Sequence, residues 1–132
     1  MIIAIDFDGT IVEYAYPNIG APVPNAIKWM KEFQKAGAKL ILWTVRSDNE
    51  DEQPLSEAIE YCESKGIYFW GINSNPGQSW SSSPKQFAHI YIDDAAFGCP
   101  LRKPRKMGGR PSVDWDVVGP KVMAMIKAAG PD

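Results

Sequence analysis

The chain has 132 residues, of which 45% are hydrophobic and 23% are charged, close to the averages of soluble globular proteins. This length predicts one domain over 1–132, and the composition excludes a disordered or low-complexity chain. Fourteen basic and sixteen acidic residues leave a net charge of −2, which argues against nucleic acid as a partner.

The apolar runs and the cysteines predict a cytoplasmic protein. The longest apolar runs, such as Leu40–Trp43, are far shorter than the roughly 20 residues of a membrane span, so no membrane association is expected. The first residues carry no basic segment or cleavage site typical of a secretory signal. Cys62 and Cys99 form neither a disulfide framework nor a metal-ligand set, as expected in a reducing compartment.

Predicted strands and helices alternate along the chain. Met1–Ile5 is an unbroken apolar run typical of a buried strand, and apolar spacing then predicts a helix over about Pro24–Ala36, ended by Gly37. The next predicted elements are a strand at Lys39–Val45, a helix at Pro54–Ser64, and strands at Ile67–Ile72 and His89–Ile92. This alternation predicts parallel crossovers and an α/β sheet with helices on both faces.

The tail, residues 99–132, gives weaker signals. Leu101–Arg110 is consistent with either a loop or a hairpin. Val113–Ala129 predicts a closing helix, but Pro120 falls inside it. A proline lacks the backbone N–H of a helix interior, so the helix either begins at Pro120 or is kinked there.

Two aspartates follow the first predicted strand in the stretch Asp6-Phe7-Asp8-Gly9-Thr10. Because the strand ends here, both carboxylates gather at its carboxyl end, where open α/β sheets bind ligands. Carboxylates this close repel, so the arrangement needs a cation or a shared proton. Gly9 lets the backbone turn sharply and approach a ligand, and Thr10 adds a hydroxyl. A plain strand-ending turn would need only one of the aspartates.

Three further motifs lie at or beside the carboxyl ends of later strands. Thr44 follows the second strand, where its hydroxyl can donate to an anion, although threonine is common in strands. Lys85 lies in a polar loop, where a lysine is usually only solvated. Asp93 and Asp94 end the fourth predicted strand, and two adjacent carboxylates suit a hard cation such as Mg²⁺.

The order of acid pair, threonine, lysine and acid pair resembles the haloacid dehalogenase superfamily over about residues 1–98. Residues 6–10 look like its first motif, Thr44 its second, Lys85 its third and Asp93-Asp94 its fourth. The stretch 85–94, KQFAHIYIDD, is similar to the end of the core in small bacterial members of the predicted-phosphatase type. The resemblance implies a Rossmann-like three-layer sandwich with a mainly parallel central sheet.

What the resemblance implies for function is a Mg²⁺-dependent phosphomonoester hydrolase that acts through an aspartyl-phosphate. Asp6 would be the nucleophile and Asp8 the general acid and base. The implied metal ligands are Asp6, Asp8 (through its carbonyl), Asp93 and Asp94. The residues implied to hold the phosphoryl oxygens are Thr44 and Lys85. The further residues expected to bind the substrate are Gly9, Thr10 and Arg46.

Members of this superfamily carry a cap domain in one of two connections. In this chain both connections are too short for one. Ile11–Pro24 and Asn73–Pro84 are too short to form a domain, so the site is expected to be capless and covered only by the loop around Tyr14–Ile19 or by a second copy of the chain. Five basic side chains in residues 102–110 form either a solvated loop or a lip that attracts a polyanionic substrate.

The same residues are compatible with other functions. A non-catalytic binding domain with this fold, a phosphotransferase or a polynucleotide phosphatase would share the motifs, because a fold alone does not set a function. A response-regulator receiver is disfavoured, because its acid pair follows the first strand and its phosphorylated aspartate the third. Here the third predicted strand leads into Asn73 with no acid.

Overall fold

The structure is a computed structural model that describes residues 1–131. The strands are β1 (Ile2–Ile5), β2 (Lys39–Leu42), β3 (Gly71–Ile72), β4 (Ile90–Ile92), β5 (Leu101–Arg102) and β6 (Ser112–Val113). The helices are α1 (Ala26–Lys35), α2 (Pro54–Ser64) and α3 (Trp115–Ala129). No helix in residues 1–131 combines the length and apolar character needed to cross a membrane.

Four parallel strands form the central sheet in the order β3-β2-β1-β4. The parallel α/β architecture predicted from the sequence is therefore confirmed, and it is consistent with a Rossmann-like fold. The predicted second and third strands are longer than the observed ones, although the Trp43 N–H still donates to the Ile5 carbonyl at 2.9 Å beyond the end of β2. β1, at the centre of the sheet, has β4 on one side and β2 on the other.

The two faces of this sheet are covered differently. Ile3 and Ile5 belong to the main hydrophobic core, which also contains the buried residues of all three helices. The other face carries Ala4 and Ile41, which pack with Ala88 and partly buried tryptophans. The prediction of helices on both faces, and with it a third helical layer, is therefore wrong for residues 1–131.

The reason lies in the connection from β3 to β4. Residues 73–89 form no helix or strand, and the sequence there, NSNPGQSWSSSPKQFAH, is rich in serine, asparagine, proline and glycine. Such residues favour turns and offer no apolar stripe for a helix. This segment and Trp43 and Trp70 cover the second face in place of a helix.

The tail folds back as a hairpin followed by a helix. β5 and β6 pair antiparallel, with Leu101 opposite Val113, so of the two alternatives for Leu101–Arg110 the hairpin is correct. α3 begins at Trp115, where the Asp114 side chain accepts a hydrogen bond from the Asp116 N–H at 3.1 Å. Pro120 therefore lies inside the helix and does not begin it.

α3 packs against α1 at very short range. A Cβ built on Gly119 would lie 2.3 Å from Cγ of Trp29, so no larger residue fits at this position without moving the indole. This contact brings the tail onto the main core, which also includes Trp115, Val118 and Ile126.

Candidate active site

Three carboxylates meet where β1 and β4 end. The two strands are parallel neighbours, and the Asp6 N–H donates to the Ile92 carbonyl at 2.9 Å. Asp6, Asp93 and Asp94 each present a carboxylate oxygen within 4.8 Å of the others. We call these three residues the carboxylate cluster. The two acid pairs of the sequence thus lie at one edge of the sheet, and three of their four carboxylates converge.

The carboxylate cluster concentrates negative charge in a partly buried place. Burial raises the pKa of Asp6 to about 8, with further contributions from its hydrogen bond to Asp94 and from the charges of Asp93 and Asp94. Burial likewise raises the pKa of Asp93. In residues 1–131 no basic side chain forms a hydrogen bond or salt bridge with these three residues. The arrangement is thus one that a bound cation would stabilise.

Thr10 holds two members of the carboxylate cluster together. It is fully buried, and its Oγ1 lies 3.2 Å from Oδ2 of Asp6 and 3.4 Å from Oδ1 of Asp94. The same oxygen accepts a hydrogen bond from the Asp94 N–H at 3.2 Å. The hydroxyl of Thr10 thus contacts the carboxylates, and its contact with substrate stays a prediction.

Gly9 is needed for a close approach to Asp94. Its φ is +81°, a backbone conformation that favours glycine. A Cβ built there would lie 2.5 Å from Oδ2 and 2.7 Å from Cγ of Asp94. The turn predicted at Gly9 is therefore present, but the group that approaches its backbone is a carboxylate of the protein.

Asp8 points to a partner of its own. Its Oδ2 accepts a hydrogen bond from Nε of Arg46 at 2.8 Å, and its Oδ1 accepts one from Nη2 at 2.7 Å. Asp8 is therefore not a member of the carboxylate cluster, although it lines the same cavity. The metal contact expected through its carbonyl stays a prediction.

Arg46, which the sequence predicts to bind substrate, has its side chain directed into the protein. Its side chain is fully buried, and besides Asp8 it donates to the carbonyls of Pro17, Asn18 and Pro54 at 2.8–3.1 Å. A guanidinium has five N–H donors, and these contacts use all of them. Arg46 therefore fixes Asp8 and the loop before α1 relative to the start of α2.

Thr44 lies beyond β2, the strand beside β1. Its N–H donates to Oδ1 of Asn73 at 2.8 Å, and its Oγ1 accepts from the Arg46 N–H at 3.1 Å. These bonds orient the side chain and leave its hydroxyl proton available to an anion. Its contact with a phosphoryl group stays a prediction.

Lys85 is not brought to the carboxylate cluster. Its Nζ lies 5.7 Å from the centroid of the Tyr91 ring, and the side chain is exposed beside a cavity that also contains Trp80 and Phe87. Lys85 does not line the cavity that contains Asp6, and its predicted contact with a phosphoryl group stays a prediction.

The carboxylate cluster opens into a cavity of about 420 Å³, which we call the acidic cavity. Tyr14 and Tyr16 line it, as expected of the loop around Tyr14–Ile19. Arg110 also lines it and stacks 4.0 Å from the centroid of the Tyr14 ring. Sequence reasoning placed Arg110 in a basic stretch, but only the hairpin fold brings this cation to the carboxylates.

No protein-family model matches the chain, and no curated protein matches it. Among solved structures, it is similar to a conserved protein coded by a locus of Bacteroides thetaiotaomicron. The two share 37% identity and superpose with a TM-score of 0.72, over 95% of this chain and 91% of the other. Identity at this level over nearly the whole of both chains places this protein in the same family as that conserved Bacteroides protein.

Proposed function

We propose that the protein is a Mg²⁺-dependent phosphomonoesterase of the capless haloacid dehalogenase type that acts through an aspartyl-phosphate. One observation carries the proposal. Asp6, Asp93 and Asp94 bring carboxylate oxygens within 4.8 Å of one another at the carboxyl edge of a parallel sheet, and Asp8 lines the same cavity. Sheet edges of this kind are where α/β proteins bind ligands.

The carboxylate cluster fits a divalent cation. Its donors are all carboxylate oxygens, which Mg²⁺ prefers, and the raised pKa of Asp6, to about 8, follows largely from burial and from the neighbouring acids. The residues that would hold the ion are Asp6, Asp93 and Asp94. When bound, Mg²⁺ would offset the charge of these carboxylates and of the phosphoryl oxygens.

In the first step, a carboxylate oxygen of Asp6 attacks the phosphorus of the substrate. The new bond joins Asp6 oxygen to phosphorus, and the bond between phosphorus and the ester oxygen breaks with its electron pair on the leaving oxygen. Asp8 in its protonated form gives its proton to that oxygen, so that an alcohol leaves.

In the second step, water attacks the phosphorus of the aspartyl-phosphate. Asp8, now a carboxylate, accepts a proton from the water, and the bond between Asp6 oxygen and phosphorus breaks. Inorganic phosphate leaves, and both aspartates return to their starting forms.

Arg46 fixes the direction of Asp8. The two hydrogen bonds from Arg46 use one lone pair on each oxygen of Asp8, and each oxygen retains a second lone pair for a proton. Arg46 is thus a positioning residue.

Two connections that contain no helix or strand support a capless site. The segments 11–25 and 73–89 contain no helix or strand of their own among the described residues, and the acidic cavity is lined by Tyr14 and Tyr16 of the first segment. An open cavity of this kind accepts the phosphate end of a larger molecule. A second copy of the chain is the partner that we propose for covering it.

A non-catalytic binding domain is the second candidate, and the position of Lys85 favours it. Phosphoryl transfer to Asp6 brings negative groups together, and a lysine beside them would lower the barrier. Lys85 instead lies over the Tyr91 ring, which leaves Arg110 as the cation of the acidic cavity.

Hydrolysis of p-nitrophenyl phosphate with and without Mg²⁺ separates the two candidates. Wild type should release phosphate only with Mg²⁺, and Asp6→Asn should fall to background because a neutral amide cannot form the acyl phosphate. Asp8→Asn should lose about 10²–10⁴-fold with a poor leaving group, and less with p-nitrophenyl phosphate, whose leaving oxygen needs little protonation. Asp51→Asn, an exposed aspartate outside the acidic cavity, is the matched control.

Beryllium fluoride, which mimics an acyl phosphate, should bind wild type and Asp8→Asn but not Asp6→Asn. A rate for Asp6→Asn equal to that of wild type would exclude the covalent mechanism. Binding of Mg²⁺ with no release of phosphate from any ester would favour the binding domain.

A further inference from the structure

A second cavity lies beside the acidic cavity, and its walls are basic. Its volume is about 330 Å³. We call it the hairpin cavity, because the β5–β6 connection forms one wall. The opposite wall is formed by residues 13–15 and 20–21. The basic residues that line it are Arg102, Lys103, Arg105, Lys106 and Arg110, with Glu13 as its acidic residue.

Only part of this positive charge is neutralised within the chain. Arg105 forms a two-pronged salt bridge with Glu13, and Arg102 lies 3.8 Å from Asp116. In residues 1–131 no salt bridge involves Lys103 or Lys106. Lys103, Lys106 and Arg110 therefore line the cavity without a salt bridge among the described residues, in a chain whose net charge is −2.

Arg102 adds an unsatisfied donor. Its Nη1 is shut off from solvent and has no hydrogen-bond partner in residues 1–131, at a distance from Asp116 that is too long for a hydrogen bond. Buried donors are nearly always paired in folded proteins. Since solvent does not reach Nη1, this donor belongs to the packing around Asp116, and the positive charge that faces the hairpin cavity comes from the other basic residues.

The two cavities adjoin each other. Tyr14 and Arg110 line both, with the guanidinium carbon 4.0 Å from the ring centroid. A small ligand that spans both cavities is compatible with this arrangement. Both volumes fall within about 300–1,000 Å³, the usual range for small-molecule sites.

We propose that the hairpin cavity binds a second phosphate group of the substrate, so that the substrate is a small molecule with two phosphates. The inference rests on the proposed function of the carboxylate cluster. One phosphate would be hydrolysed at Asp6, and the other would be held by Lys103 and Lys106. A small molecule fits better than a nucleic acid, because the basic residues are confined to one cavity and the protein as a whole is acidic.

The test compares kcat/KM for glucose 1,6-bisphosphate with that for glucose 6-phosphate. Wild type should prefer the bisphosphate. Lys103→Ala/Lys106→Ala should lower that preference about tenfold, the effect of losing one charge-assisted hydrogen bond. Lys28→Ala/Lys121→Ala, two exposed helical lysines outside the hairpin cavity, removes the same charge and should keep the preference. Raising the salt concentration should weaken the preference in wild type.

The outcomes separate this inference from the proposed function. Wild type that hydrolyses p-nitrophenyl phosphate but treats both sugar phosphates alike overturns the inference alone. Failure to hydrolyse p-nitrophenyl phosphate contradicts the proposed function and the inference with it, unless calorimetry shows glucose 1,6-bisphosphate binding that the Lys103→Ala/Lys106→Ala change weakens. A higher kcat/KM for a 5′-phosphorylated oligonucleotide than for the bisphosphate overturns the assignment to a small molecule.

Discussion

Arg46 and Asp8 form a buried, two-pronged ion pair, with Nε 2.8 Å from Oδ2 and Nη2 2.7 Å from Oδ1. The pair lies 38 residues apart in the chain and connects the turn after β1 to the segment after β2. A buried guanidinium keeps all its hydrogen bonds only while every acceptor stays in position. The geometry of Asp8 therefore depends on a residue that has no donor left for a ligand.

Replacing Arg46 should destabilise the protein and misdirect Asp8. Arg46→Ala leaves Asp8 and three carbonyls without donors, and breaking a buried ion pair costs about 3–5 kcal/mol. Arg46→Lys keeps the charge but not the planar fork, so we expect it to fold with kcat reduced and KM little changed. Urea denaturation and steady-state kinetics measure the two effects. Equal kcat for Arg46→Lys and wild type would show that Asp8 needs no positioning.

Gly9→Ala should disturb the carboxylate cluster beyond its effect on the backbone. The new Cβ would meet the Asp94 carboxylate at 2.5 Å, so Asp94 must move. Gly98→Ala is the matched control, because Gly98 has a similar φ of +87° and no atom within 4 Å of a built Cβ. The control should lose about 1–2 kcal/mol from backbone strain, whereas Gly9→Ala should lose more and also bind Mg²⁺ more weakly. Equal Mg²⁺ affinity in the two variants would contradict the contact.

Asp6 should make the metal-free protein less stable as the pH rises. Its pKa in the folded state is about 8, above the ordinary value of 3.8, so between these values the folded state binds a proton that the unfolded state has released. The free energy of unfolding then falls as pH rises through this window. Asp6→Asn should reduce the slope, leaving the part that comes from the raised pKa of Asp93, and should add on the order of 5 kcal/mol at pH 8.

Urea denaturation at pH 5 and pH 8, without divalent ions, measures this effect. Asp51→Asn should keep the slope of wild type. Mg²⁺ should raise the stability of wild type at pH 8, because an ion that binds the folded state stabilises it. A slope that is unchanged in Asp6→Asn would assign it to other groups.

Trp115→Phe should loosen the turn after β1. The fully buried indole donates from Nε1 to the Thr10 carbonyl at 2.8 Å, and an unpaired buried carbonyl costs about 1–3 kcal/mol. Trp80→Phe, at an indole that is 71% exposed, should change stability little. The Asp94 N–H donates to Thr10. Its hydrogen-exchange rate should rise in Trp115→Phe and stay unchanged in Trp80→Phe.

The parallel sheet was predictable because its strands are short apolar runs between glycine, proline and polar residues. Ala4 and Ile41 are buried on the second face as such runs predict. The apolar runs do not predict what covers that face. A strand buried on both faces is a continuous apolar run whether a helix or an irregular segment packs on it.

The convergence of Asp6 with Asp93 and Asp94 was predictable for a related reason. Each lies at the carboxyl end of a predicted parallel strand, so adjacency of β1 and β4 is enough to bring them together. The partners of Arg46 and Lys85 depend instead on loop conformation. Sequence periodicity does not predict that the Arg46 side chain binds Asp8 or that Lys85 lies over the Tyr91 ring.

The hydrogen bond between Trp115 and Thr10 spans 105 residues, and it has a consequence for synthesis of the chain. All the acidic residues of the carboxylate cluster are made before Trp115, yet the turn that carries Thr10 lacks this anchor until the hairpin and the first turn of α3 have left the ribosome. Val113, which donates to the Gly9 carbonyl at 3.0 Å, arrives equally late. A chain that lacks Val113 and Trp115 would therefore hold its acids without the two hydrogen bonds that anchor this turn.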